Sequence, residues 1–570
     1  MENFLLDNDD ILFHLEHMDI DRIITLKEDH FKEAEKYPYA PTDAADARDS
    51  YKKVISIIGE ISGETLAPLA AEIDEEGVKL VNGEVQYAKG TRQVLDIFAK
   101  ADLMGFSMPR KYNGLNFPAI MLAVAAEIVS RADGSFLNFG LQQDIGETLN
   151  KFGSDKQKQA VLPQLASGEL GCSMILTEPD AGSDLQAVNL RAHQAASGQW
   201  FLNGVKRFIT NGNGEIGLVL ARSEDGHSGA RGLSFFLYKR DEHMTIRRVE
   251  NKLGIHGSPT CELQFNDAPV TLVGERQRGL TKYTMWLMNS ARLGIAGQAL
   301  GIAEAAYREA DKYAGERIQF KKPVREFPAV YEMLTEMKIS IEAGRTLFYE
   351  TARFVDLKEG LEEMKEQYPE RSAEFKTDLK RYSRLANMFT PIVKAYNTEM
   401  ANKVTYDTIQ IHGGTGFMKE FNAERHARDA RITSIYEGTT QLQVVAAIGG
   451  VTTGTAISIM DEYESEDFSH AEELHKQLHK ARLNFEKTLV GIKDVDKPDF
   501  ITYHARRVVE MATDIIIGYL MIRDAAHSDR KMKVAEIFIE KMLPRVEMSM
   551  NFILKGNASL LDDYKDIIGE

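Results

Sequence analysis

Cysteine is almost absent: 570 residues carry only Cys172 and Cys261. Two thiols cannot build a disulfide framework, so a reducing compartment is expected. Neither lies in a C-x-x-C pair or in histidine-rich company, so no metal site is expected and both read as small buried residues. Positive charge is also in deficit. Against 86 Asp and Glu stand 69 Lys and Arg, a formal charge of −17, the wrong sign for a broad nucleic-acid or anionic-membrane surface. No stretch reaches the roughly 18 apolar residues that span a bilayer. The start, Met1 to Asp10, is acidic and has neither a basic leader nor a long apolar segment, so a bacterial-type cytoplasm is the expected location. No G-x-G-x-x-G dinucleotide fingerprint after a strand is expected, which argues against a nicotinamide dinucleotide.

What remains is an ordinary globular composition, 43% hydrophobic and 27% charged, on a chain too long for one core. Residues 1–42 read as a helical extension broken by Pro38 and Pro41. Residues 43–168 carry apolar residues at three and four spacing, as in Met121 to Ser130, and predict a helical domain. Near Gly171 the character changes to short β-rich segments punctuated by Gly, Asn and Asp, predicting an antiparallel β-domain over 169–279. Helical periodicity returns over 280–450. The small-residue run Ala291 to Ala306 suits closely packed helices. Residues 355–381 are so charged that they read as an inserted, solvated excursion. Ile448 to Thr455 reads as a linker to a further helical domain, 451–570. The expected class is α+β, mainly α. No internal repeat is evident.

Three motifs carry chemistry. Thr177-Glu178-Pro179-Asp180-Ala181-Gly182-Ser183-Asp184 makes a rigid loop whose amides and hydroxyls can face a planar heterocycle or a phosphate. Gln410-Ile411-His412-Gly413-Gly414-Thr415-Gly416-Phe417 lets backbone approach a diphosphate, and the guanidinium of Arg317 suits the same group. Ile435-Tyr436-Glu437-Gly438-Thr439-Thr440-Gln441 sets one carboxylate before a glycine.

In this order the motifs resemble those of the acyl-CoA dehydrogenase flavoprotein family over about residues 45–450, in an extended bacterial form with an additional C-terminal helical domain. The resemblance implies FAD and an acyl-CoA substrate. It makes Glu437 the base that removes the α-proton of the thioester while the β-hydrogen leaves as hydride, giving a trans-2-enoyl-CoA. Cofactor contacts are implied at Met174, Thr177, Ser183, Phe208, Thr210, Thr439 and Gln441. Arg317, Gln319, Phe320, Gln410, Gly413 and Gly414 would reach the cofactor held mainly by a neighbouring subunit. A homodimer is expected, with the tail covering the surface that shorter members use for dimer-of-dimers assembly, and a tetramer stays open. Substrate contacts are implied at Ser183, Arg292 and Gly438. Some members place the base one residue before this arginine; here that residue is Ala291, which takes no proton. His256, where a cation is common, receives no role.

Reduced flavin needs an acceptor, and the resemblance implies electron-transfer flavoprotein. An oxidase using dioxygen is the rival within enzymes. A DNA-alkylation-response flavoprotein is the rival outside them. Residues 451–570 hold 16 Lys and Arg against 22 Asp and Glu, a net of −6, which disfavours nucleic acid there. The acidic start of the tail, Asp461 to Asp467, likewise disfavours membrane docking. Medium to long straight acyl chains are expected, with short, branched, alicyclic and sulfur-containing ones open.

Overall fold

The computed structural model describes every residue except Met1, Gln142, Asp496, Pro498, Asn557 and Glu570. Three long helices form its spine: Met285–Glu316, Pro328–Gln367 and Ser372–His412. The small-residue reading of the first holds. A Cβ on Gly301 would collide with the Glu127 carbonyl, so glycine there lets this helix press against Ala119–Ala132.

The charged stretch 355–381 is no inserted excursion. It is the far end of two helices of 40 and 41 residues, joined through the short turn Pro369–Arg371. Charge on the outer face misled the reading. The inner face buries Leu357, Leu361 and Met364, and the helix packs against Asp21–Lys27 of the N-terminal extension.

The middle segment folds into a small closed sheet. Ile216–Arg222 pairs with Leu233–Lys239, which pairs with Thr260–Leu272, which pairs with Trp200–Thr210. Arg191–Gln194 follows and returns to Ile216–Arg222 through one bridge, so most edges are consumed. Two pairings depart from the antiparallel expectation. Arg191–Gln194 meets Ile216–Arg222 in parallel, and so does Cys172–Ile175. Both faces of Ile216–Arg222 are buried, so this central strand reads as a continuous apolar run. The spacing Gly212-Asn213-Gly214-Glu215-Ile216-Gly217 does occur, but it leads from one strand into another and leaves no helix N-terminus for a diphosphate.

The expected linker is mostly helix. Thr440–Thr452 runs through Gly449 and Gly450, and the chain turns 66° only at Thr453-Gly454 before Thr455–Glu464. The helices beyond share one hydrophobic core with the three long helices. A buried ionic knot joins the pieces. Arg345 reaches Asp10 of the extension at 2.5 Å, Glu127 at 2.5 Å and Glu304 at 3.0 Å. Lys531 of the tail pairs with the same Asp10 and with Glu342 at 3.0 Å. The helical run Ala44–Glu76 has the length and mean hydropathy of a membrane span. It buries Tyr51, Ile55 and Ile58 in the same core.

Candidate active site

A cavity of about 700 Å³ opens where the closed sheet meets the helices, and Glu437 lines it. One wall comes from the sheet: Met174, Thr177, Ser183, Phe208 and Thr210. The Thr177 loop is pinned from beneath. Lys206, fully buried, donates to the Leu176 carbonyl at 2.6 Å and pairs with Glu178 at 2.9 Å. Glu178 in turn accepts from the backbone N–H of Asn189 and Leu190. Phe208 owes its position to a bulge in Trp200–Thr210. Its φ is +61°, and the residue is 51% exposed although Lys206 and Ile209 on the same strand are buried. A bulge re-aims a side chain in this way.

The opposite wall is helical. Ala119, Ala123 and Ala126 lie at helical spacing on Ala119–Ala132, with Ala291 and Gly294 from Met285–Glu316. These small side chains alternate with larger ones from the same helices, Leu122, Met288, Leu293 and Ile295. Three carboxyls lie along it, Asp144, Glu147 and Glu359. Burial raises all three, Asp144 and Glu359 to about 7, the Glu437 charge adding to the effect on Asp144.

Glu437 sits in a strained turn with φ +54°, a left-handed conformation that non-glycine residues adopt rarely. The carbonyls on and around it are all held. Lys394, on Ser372–His412, donates to Tyr436 O at 3.0 Å and Gly438 O at 2.6 Å. Gln443 Nε2 donates to Glu437 O at 3.1 Å and Gly438 O at 2.8 Å, and Arg292 Nε lies 3.4 Å from Glu437 O. Gly438 has φ +91°, so any side chain there would be strained, and a Cβ, 2.7 Å from Gln443 Nε2, would displace that amide. The Tyr436 hydroxyl lies within hydrogen-bonding reach of two amide oxygens, Asn138 Oδ1 at 3.1 Å and Gln298 Oε1, to one of which it donates its proton. Burial raises the Glu437 carboxyl above the ordinary glutamate range, with Lys394 and Arg292 pulling part of the way back. Burial likewise pushes Lys394 down to about 7.

The cavity thus brings together Glu437, Gly438, Thr439, Met174, Thr177, Ser183, Phe208 and Thr210. It does not include Arg292. That side chain is buried below the turn, with Nη1 on Asn289 at 3.0 Å, and acts on the Glu437 backbone rather than lining the cavity. Nor does it include Gln441, which faces outward from the first turn of Thr440–Thr452 while Gln443 faces in. His256 lies outside the cavity lining and pairs with Asp74 at 2.9 Å.

Arg317, Gln319, Phe320, Gln410, Gly413 and Gly414 gather elsewhere, at one end of the bundle and exposed to solvent. Stacking of Tyr313 on His412 brings their two segments together, and Phe320 is 88% exposed. Sequence reasoning missed Lys394, Gln443, Asn138 and Asp144. A lysine inside an otherwise apolar helical face, Phe389 to Val393 followed by Lys394, was the one available signal.

These residues suit FAD on two counts. The cavity offers apolar walls and hydroxyls to a flavin ring. The exposed guanidinium and glycine edge, with open space over Gly413 and Gly414, suits a diphosphate.

Comparison with known proteins agrees. The N-terminal, middle and C-terminal domains of acyl-CoA dehydrogenases match residues 52–169, 173–268 and 278–448, and a further acyl-CoA dehydrogenase C-terminal segment matches 452–559. A 3-methylmercaptopropionyl-CoA dehydrogenase of Ruegeria pomeroyi is 36% identical over 438 residues, covering 72% of this chain and 71% of that one. A chain from a structure of the electron transferring flavoprotein of Acidaminococcus fermentans superposes with a TM-score of 0.59 at 30% identity, covering 70% of this chain and 96% of that one. An acyl-CoA dehydrogenase of Bacillus anthracis complexed with FAD covers 90% of each chain with a TM-score of 0.75 at 22% identity, so the fold it shares includes much of the tail. The chain belongs to the acyl-CoA dehydrogenase family and is an FAD-dependent oxidoreductase acting on a CH–CH group.

Proposed function

We propose that the protein converts a fatty acyl-CoA thioester to its trans-2-enoyl-CoA, with Glu437 as the base. The observation that carries this is the Glu437 carboxyl, half-buried and raised, on the wall of the cavity of about 700 Å³ between sheet and helices. A carboxylate raised toward neutrality is matched to taking an α-proton. FAD, when bound, supplies the hydride acceptor. Met174, Thr177, Phe208, Thr210 and Thr439 would hold its ring, with Ser183 at the mouth beside the CoA phosphates. The rigid Thr177 loop orients the ring, and Gly438 leaves the backbone room to approach the thioester. The apolar walls exclude water from the reacting carbons.

The Ala119, Ala123 and Ala126 wall favours a straight chain of medium length. The carboxyls beyond it tolerate a polar atom, so a thioether chain such as that of the Ruegeria relative is a second substrate to test. Electrons would pass to an electron-transfer flavoprotein, consistent with the likeness to the Acidaminococcus chain. Exposed Arg317, Phe320 and Gln410 are best explained by a homodimer in which each subunit completes the other's cofactor site. The two cysteines, both buried, suit a reducing cytoplasm.

The test is anaerobic bleaching of bound flavin by acyl-CoAs from butanoyl to hexadecanoyl and by 3-methylmercaptopropionyl-CoA, with Glu437→Gln in parallel. Bleaching of the wild type and not of the variant supports the reading. Bleaching of both removes Glu437 from the role, and bleaching of neither removes the reaction.

A further inference from the structure

Lys394 is 0% exposed, and it comes from a helix that contributes no residue to the cavity wall. Lysine is almost never fully buried without a reason, because stripping water from an ammonium is expensive. Its neighbours on the helix, Phe389, Ile392 and Val393, are plain core. A leucine or methionine would pack there without that penalty. Its hydrogen bonds reach two backbone carbonyls, those of Tyr436 and Gly438, one on each side of Glu437.

We propose that Lys394 is a positioning residue for the base: its ammonium holds the carbonyls flanking Glu437, locks the turn in its left-handed form and presents a positive charge to the carboxylate from the side away from substrate. This rests on Glu437 being the base. The geometry explains why the turn survives. A glutamate at φ +54° relaxes unless its surroundings over-determine it. Here three donors from two helices and from Gln443 converge on three successive carbonyls.

The charged groups around Glu437 come from four elements. Arg292 lies on Met285–Glu316, and Lys394 on Ser372–His412 with Glu399 one turn further on. Asp144 lies on Gln143–Phe152, and Tyr436 adjoins on the turn itself. The two cations favour the carboxylate, and Asp144, once ionised, opposes it. Removing Lys394 therefore raises the pH at which Glu437 gives up its proton.

The experiment compares Lys394→Met, Lys394→Gln and Lys394→Arg as flavin-loaded full chains, reading the acid limb of kcat/KM against pH, flavin content, and a crystal structure of the Met variant. Methionine removes donor and charge, glutamine keeps a donor, and arginine keeps both. The acid limb should move up by about one pH unit in the Met and Gln variants and stay in place in Arg. The rate at optimal pH should fall about tenfold or more in Met and less in Gln, and the Glu437 φ should leave the left-handed region in the Met crystal. An unmoved limb in both uncharged variants overturns the proposal, as does an unchanged turn. If none of the three folds with flavin, Lys394 is a core residue and the proposal also falls. The two readings fail separately: bleaching retained in Glu437→Gln removes the base, whereas bleaching lost there with an unmoved limb in the lysine variants removes only the role of Lys394.

Discussion

The turn at Glu437 and the knot at Arg345 both bury several ionisable groups, and they treat them in opposite ways. In the knot, cations meet carboxylates at hydrogen-bonding distance. Burial would raise Asp10 and Glu304, but Arg345 and Lys531 around the first, and Lys338, Arg345 and Arg308 around the second, outweigh it and hold both well below the usual carboxylate range; Glu127, which among the described residues pairs with Arg345 alone, stays raised by burial. At the cavity the balance reverses. Burial dominates, and Glu437, Asp144, Glu147 and Glu359 all stand above their ordinary values. Charge matched in place fixes how segments fit together. Charge left under-compensated beside a cavity is poised to exchange protons.

The largest expected effect breaks the comparison at the cavity. Glu437→Gln should lower turnover by about 10³-fold or more while flavin content and melting temperature stay near wild type. Arg345→Met should do the reverse. It leaves Glu127 without its cation in a buried site and takes one of two cationic partners from Asp10 and from Glu304, which costs about 3–5 kcal/mol. Calorimetry should show a markedly lower Tm, and the folded fraction should still bleach with acyl-CoA. An Arg345 variant as stable as wild type would mean that the knot is ornamental.

The pH dependence separates the regions further. Asp10 and Glu304 are depressed in the fold, so their contribution is fully present above the unfolded carboxylate pKa near 4 and is lost as pH falls below it. Asp144 is raised to about 7, so its contribution is present below the unfolded value and is lost as pH rises through about 7. Asp144→Asn should therefore stabilise the protein by about 2 kcal/mol or more near pH 8 and by little only near or below pH 4, read as Tm at both. Equal gains at the two values would place Asp144 outside the under-compensated set.

Much of the cavity was legible because its residues lie within short motifs. Glu437, Gly438 and Thr439 are consecutive, and Thr177 and Ser183 share one loop. The residues that hold those motifs were not. Lys394 stands 43 positions before Glu437, on another helix, and only the fold brings it under the turn. Arg292 was seen, but its direction was not, because spacing along a helix does not say whether a long side chain reaches a cavity or a carbonyl. The charged end of the bundle and the expected linker misled in the same manner. Charge over 355–381 and the glycines near 450 read as solvent and linker, yet the inner faces of those helices carry core contacts that a linear pattern shows only weakly.

The smallest expected effect lies at the rim of the knot and sharpens what matching means there. Arg530 pairs with Glu342, as Lys531 does, but its side chain is 54% exposed whereas that of Lys531 is 6% exposed. Solvent screens the outer pair, and removing Arg530 leaves Glu342 with Lys531 at 3.0 Å and Lys338 at 3.8 Å. Arg530→Ala should therefore lower stability by less than about 1 kcal/mol. Lys531→Met, which strips Asp10 and Glu342 of a buried partner, should cost about 3 kcal/mol. Denaturant unfolding of the two variants side by side reads the difference directly. If they cost the same, exposure is not what separates them, and the knot acts through total charge rather than through buried pairing.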